Sequence, residues 1–250
     1  MSCNQVEKPL TGQVEQAKVK AEEVKHSKAD SIIQNAILAH GGKLYEQAHY
    51  EFIFRENWYR FRNNYSNYEY EYKGINKVGD SIRTKLTQDK VQVWKNGAEQ
   101  EFNEKQKLSY SDNLNSVIYF ATLPHKLKDK SVNKKYMGET KVFEKSYEII
   151  KITFSQEGGG TDYEDEYYYW FNAETNLIDY LAYNYQVNGG GVRFRKAYNT
   201  REVGGIVFHD YVNYKAPVGT DLDKLPALLE TNKLTELSRI ETKNVALLDN

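Results

Sequence analysis

A chain of 250 residues with 34 basic and 35 acidic side chains carries a formal net charge of −1, so no basic field points to nucleic acid. It contains no apolar run of the roughly 18 residues that a membrane-crossing helix needs. Four prolines, and no Pro/Ser-rich interior linker, favour one large β domain, and 21 tyrosines against 10 phenylalanines suit half-buried strands.

The single cysteine, Cys3, excludes an internal disulfide and a thiolate metal cluster. Ser2-Cys3 matches the last two positions of a bacterial lipobox, so Cys3 is the expected lipidation site, with its secretion signal removed. Residues 4–28, rich in Lys, Glu, Gln and Val, read as a solvated tether. The expected organisation is a lipoprotein N-terminus and tether over 1–28, then a single β domain over 29–250.

A short amphipathic helix follows, capped by Ser27 or Asp30, with Ile32, Ile33, Ala36, Ile37 and His40 on one face. Gly41-Gly42 end it, with Gly41 the expected left-handed residue, and His40 is assigned to capping or packing. Over residues 45–95 the period becomes two. Tyr50, Phe52 and Phe54 alternate with Glu51 and Arg55, and Tyr68, Tyr70 and Tyr72 alternate with Glu69 and Glu71. Turns at 63–64, 73–74, 88–89 and 96–97 separate the strands. This predicts an antiparallel sheet covered on one side. A second helix is expected from a cap at Ser111 or Asp112, with Leu114, Val117, Ile118 and Ala121 as its stripe and Pro124 beyond its end.

Strands are next expected over 147–155, 163–171, 177–187, 192–198 and 206–214. A short helix over 221–233 and a last strand near 237–247 complete the chain. Two glycine triplets, Gly158–Gly160 and Gly189–Gly191, fall at one end of this meander. They form either a ligand mouth or bulged turns. Beside them lie Asp162, Glu164, Asp165 and Glu166, read as a solvated acidic strand facing Arg193 and Arg195. The predicted fold is mainly β: one large curved antiparallel sheet, a half-open β-barrel of about ten or eleven strands with two or three covering helices.

The order of helix, strands, helix and long meander behind a Cys-led tether resembles the LolA/LolB-type lipoprotein-carrier fold. Ala39-His40-Gly41-Gly42, Tyr168-Tyr169-Trp170-Phe171, Asp179-Tyr180-Leu181-Ala182-Tyr183 and Gly189-Gly190-Gly191-Val192-Arg193-Phe194-Arg195 resemble an uncharacterised family of Bacteroidota (flavobacterial) lipoproteins of unknown function. That resemblance implies no catalytic residue set.

No GxSxG, HExxH, P-loop or helix-opening GxGxxG is present, and the five histidines have no metal-ligand spacing. Arg55, Arg60 and Arg62 beside Trp58 and Tyr59 form either a cation–π cluster or a site for an anionic head group, and packing is the preferred reading. The expected function is a non-catalytic, lipid-anchored envelope protein without cofactor or metal, outer-membrane and periplasm-facing because Asn4-Gln5-Val6 lacks an acidic run. It is expected to be monomeric, with a membrane contact through its anchor, no nucleic acid, and a lipid or acylated ligand on the concave face. Acyl chains would lie against Phe52, Phe54, Ile152, Phe154, Leu181 and Tyr183, with Arg193 and Arg195 at the rim for a polar head. The alternatives are a scaffolding lipoprotein whose core is filled by its helices, or a hydrolase-like enzyme using a rim residue such as Asp162, Arg193 or His209.

Overall fold

The protein's structure, a computed structural model, describes residues 27–155, 165–186 and 189–249. Cys3, the tether up to residue 26, the first glycine triplet and the acids Asp162 and Glu164 lie outside the described residues. Helix α1 (Lys28–Ala39) starts with a reciprocal cap. The Ser27 hydroxyl accepts from the Asp30 N–H at 3.1 Å while the Ser27 N–H donates to the Asp30 carboxylate at 3.4 Å, satisfying donors that a helix start leaves open. The helix buries Ala29, Ile33, Ala36 and Ile37. Beyond it Gly41 has φ +126° and Gly42 φ +54°, so the left-handed residue proper is Gly42. A Cβ on Gly41 would lie 2.9 Å from the Gly205 carbonyl oxygen, so this turn fits against a distant hairpin only as glycine.

The alternating run folds into β1 (His49–Phe54), β2 (Asn57–Asn64), β3 (Asn67–Ile75), β4 (Ser81–Thr87), β5 (Val91–Lys95) and the stub β6 (Ala98–Glu99). Register aligns Tyr50, Phe61, Tyr70 and Leu86 in one row across four strands, and these four side chains form a buried core. The opposite face carries charge. Glu71 there is buried between Arg60 at 2.8 Å and Arg83 at 2.5 Å. Arg60 is therefore committed to carboxylates, and it is Lys73 that lies over the Trp58 ring, at 4.2 Å. The expected arginine cluster on Trp58 is not formed.

Helix α2 (Glu104–Ala121) begins at Asn103, whose side chain and that of Gln106 cap each other's backbone N–H groups. Its first turns are polar, which is why the apolar stripe alone placed the start near 111. Of its 18 residues only Leu114 and Ile118 are buried.

The second sheet is built from β7 (Val132–Val142), β8 (Lys145–Phe154), β9 (Tyr167–Asn172), β10 (Ile178–Tyr185), β11 (Gly191–Val203), β12 (Ile206–Ala216) and β13 (Thr235–Ile240), each antiparallel to the next. Its concave face packs on α1 through Ile150, Ile152, Tyr169 and Leu181. Its back is covered as well: Tyr147, Trp170, Tyr180 and Phe194 pack on Leu222, Leu225 and Leu229, from the segment ending in α3 (Leu225–Glu230).

The expected half-open antiparallel architecture is thus present, but as two sheets of seven strands rather than one of ten or eleven. The predicted last strand explains the division. It splits at residues 241–242 into β13, which pairs with β12, and β14 (Lys243–Leu247), which pairs with β1. A polar knot pins this seam. The carboxylate of buried Asp210 accepts from the Thr242 N–H at 2.9 Å and from Asn199 Nδ2 at 2.6 Å, and lies 3.2 Å from Arg201 Nη1.

Candidate ligand-binding cavity

At the seam, between α2 and the concave face of the second sheet, lies a cavity of about 650 Å³, within the usual size range of small-ligand sites. Helix α2 contributes Val117, Phe120 and Ala121, the end of β1 contributes Phe54, and β13 contributes Leu237 and Ile240. The wall opposite is polar and aromatic: Tyr183 and Tyr185 of β10, Arg193 and Arg195 of β11, and His209, Tyr211 and Asn213 of β12. Strand alternation accounts for the arginines, since residues two apart project to one face while Val192 and Phe194 turn to the core behind.

Arg195 is 8% exposed, with its guanidinium 4.0 Å from the Phe120 ring centroid and 5.1 Å from that of Tyr183. One Nη donates to the Tyr183 hydroxyl at 2.9 Å, while Nε is buried without a hydrogen-bond partner. Arg193 is more open and donates to the Tyr185 hydroxyl at 2.5 Å. Neither Arg193 nor Arg195 forms an ion pair with Glu166. Glu166 pairs with Lys151, and Asp165, which is buried and lines the cavity, has interactions of its own.

Of the eight side chains expected to hold a ligand, Phe54, Tyr183, Arg193 and Arg195 line this cavity. Ile152 and Leu181 lie fully buried under α1, Phe52 stacks on Tyr59 in the first sheet's core at 5.5 Å, and half-buried Phe154 packs edge-on to Tyr167. Helix α1 therefore fills one part of the concave face and α2 roofs another. In the described glycine triplet Gly189 has φ +87° and Gly190 φ +76°, backbone that favours glycine, and Gly191 opens β11. Gly191 sits beneath the Tyr185 side chain, where a Cβ would come within 2.4 Å of the hydroxyl.

The sequence scattered its histidines, yet the fold brings two of them together across 169 positions, His40 Nε2 lying 3.1 Å from His209 Nε2. The chain of partners fixes the tautomers. His40 Nδ1 faces the Ala36 carbonyl at 2.7 Å, which only accepts, so Nδ1 carries the proton and Nε2 is bare. His209 Nε2–H then donates to it, and His209 Nδ1 accepts from the Thr200 hydroxyl at 2.9 Å. Burial holds His40 down at about 4 and His209 at about 3, the latter also through His40 and Arg201. Both rings are neutral near pH 7 and fully committed, so His209, though in the cavity wall, offers no free base to a ligand. Among the described residues no group of three or more His, Cys, Asp or Glu side chains is placed to hold a metal.

These features define a half-open antiparallel β protein with a helix-roofed, largely aromatic cavity carrying buried positive charge. The chain belongs to a family of unknown function, DUF6503, whose pattern it matches over residues 23–242. No curated protein matches it. It is similar to the solved structure of a LolA superfamily protein from Nitrosomonas europaea, at 9% identity and TM-score 0.46, with 90% of this chain and 96% of that one covered. It is also similar to a putative outer membrane lipoprotein-sorting protein domain from Vibrio parahaemolyticus, at 7% identity and TM-score 0.45, over 87% and 91%. A third similar structure is a DUF1329 family protein from Desulfovibrio piger, at 10% identity and TM-score 0.44, over 89% and 94%.

Proposed function

We propose that this protein is a lipid-anchored envelope protein that shelters an apolar or amphipathic ligand in the cavity under α2 and does not turn it over. The observation that carries the reading is the unfilled roof. Helix α2 fully buries only Leu114 and Ile118, and Val117 and Phe120, each packed along one side on the cores, line the cavity and leave it open. Exposing apolar walls to water would be unfavourable without an occupant. Burying ten methylenes there is worth about 8 kcal/mol gross, the scale of a micromolar Kd before association costs are subtracted.

Cys3 supplies the anchor in this reading, with residues 4–26 as the tether and the periplasmic face of the outer membrane as the location. No helix among the described residues is long and apolar enough to cross a membrane, so attachment would fall to the lipid. The test is saturable binding of an environment-sensitive apolar dye to the full-length protein, repeated on Val117→Trp, which places an indole in the cavity. Wild type should bind and the variant should not, at similar melting temperature. Absence of a saturable site in wild type would end this reading.

A further inference from the structure

We propose that the head group received by this cavity is anionic, an oxyacid at the end of a single apolar chain, and that Arg195 is its recognition residue. The inference rests on the cavity being a ligand site and adds the charge class of what enters it. A guanidinium withdrawn from water is costly unless paired. Arg195 is 8% exposed, held between two aromatic rings, and forms no ion pair with a carboxylate among the described residues. Its only hydrogen bond there is to a neutral tyrosine hydroxyl.

The unpaired Nε belongs to the fork that matches a carboxylate or phosphate edge. Directly across the sheet, in register with Arg195, stands Asn213. Its Nδ2 donates to the Ser238 hydroxyl at 3.2 Å, and its Oδ1, an acceptor, is buried without a hydrogen-bond partner. The cavity wall thus holds an orphaned cationic donor and an orphaned carbonyl acceptor on paired positions of adjacent strands, and an oxyacid head that keeps one proton can accept from the first and donate to the second. Among the described residues the lining carries Arg55, Arg193 and Arg195 against one carboxylate, Asp165. Apolar surface from Phe54, Val117 and Ile240 continues from this polar patch, as a chain-bearing acid requires and a free inorganic anion does not.

The experiment compares three amphiphiles of one chain length, hexadecanol, hexadecanoate and hexadecyl phosphate, as displacers of the apolar dye from the full-length protein, alongside inorganic phosphate alone. At least one of the two acids should displace roughly tenfold more tightly than the alcohol, as a charge-assisted pair in a desolvated site gives; which acid does so names the head group. In Arg195→Gln the ratio of acid to alcohol affinity should collapse towards one. Equal displacement by acids and alcohol in wild type overturns the anion assignment while leaving the cavity a ligand site. Displacement by inorganic phosphate at concentrations matching the acids overturns the requirement for a chain. Failure of the dye itself to bind removes the cavity reading and this inference with it. The wild-type comparison decides the question even if Arg195→Gln folds poorly.

Discussion

Acid should loosen the lock between α1 and the second sheet, and His209→Gln should make that junction less sensitive to pH. An unfolded histidine takes up its proton near pH 6.5, whereas His40 and His209 in the fold resist protonation to about 4 and about 3. The unfolded chain therefore binds more protons than the folded one below pH 6.5. Stability is complete above that value and is lost as the pH falls towards 4 and 3. At pH 5 each buried ring costs about 2 kcal/mol on this reasoning.

Geometry sharpens the expectation. A doubly protonated His40 would point an Nε2–H at the His209 Nε2–H across 3.1 Å, so His40 cannot charge without separating the rings, whereas His209 would take its proton on Nδ1 and turn the Thr200 hydroxyl from donor to acceptor. Arg201 opposes protonation of His209, and Asp179 gives His40 only partial relief. A glutamine at 209 can still donate an N–H to His40 but does not titrate. Urea unfolding followed by tryptophan fluorescence at pH 7, 6 and 5 reads the difference. The wild type's loss between pH 7 and 5 should exceed that of His209→Gln by about 2 kcal/mol, with the remaining acid sensitivity shared by His40 and the buried His125. Equal losses in the two proteins would refute the neutral-pair account.

Other substitutions separate core from cavity. Ile152→Ala, in the fully buried cluster under α1, should cost about 2–5 kcal/mol in chemical denaturation and leave dye affinity unchanged. Asp210→Ala would strip the buried seam of its shared acceptor and leave Arg201 without its carboxylate, for a loss of about 3–5 kcal/mol; a loss below 1 kcal/mol would mean that the knot does not hold the sheets together. Gly191→Val should push aside the outer end of the Tyr185 ring, which lies 2.4–2.7 Å from the new Cβ, so whatever stability it costs should vanish in the Tyr185→Ala background of a double-mutant cycle.

Much of the architecture was legible where one local rule decided it. Ser27, Asp30, Ile33 and Ile37 announce α1, and the period-two runs ending at Phe54 and Tyr72 announce the first sheet. Helix α2 was half visible, because its cap at Asn103 precedes polar turns that carry no stripe. Strand β7 is not visible as an alternating run because, as an edge strand, it carries three lysines and a glutamate that block further pairing. The back core of the second sheet was hidden for a different reason: a strand buried on both faces, such as β9, does not alternate.

The candidate site divides the same way. Phe54, Tyr183, Arg193 and Arg195 share the concave face by alternation, which sequence shows. What sequence does not show is which stretch of that face α1 fills. Ile152 and Leu181 have the same pattern as Tyr183, and only packing distinguishes them. The meeting of His40 with His209, and of Arg195 with Asn213, depends on long-range register that no local spacing encodes.

The most direct test of the cavity's role is native mass spectrometry of freshly purified full-length protein beside Val117→Trp. The account predicts that wild type carries a non-covalent small-molecule mass, released on collisional activation, and that the variant is largely bare. Identical spectra for the two proteins, each showing only the polypeptide mass, would contradict it.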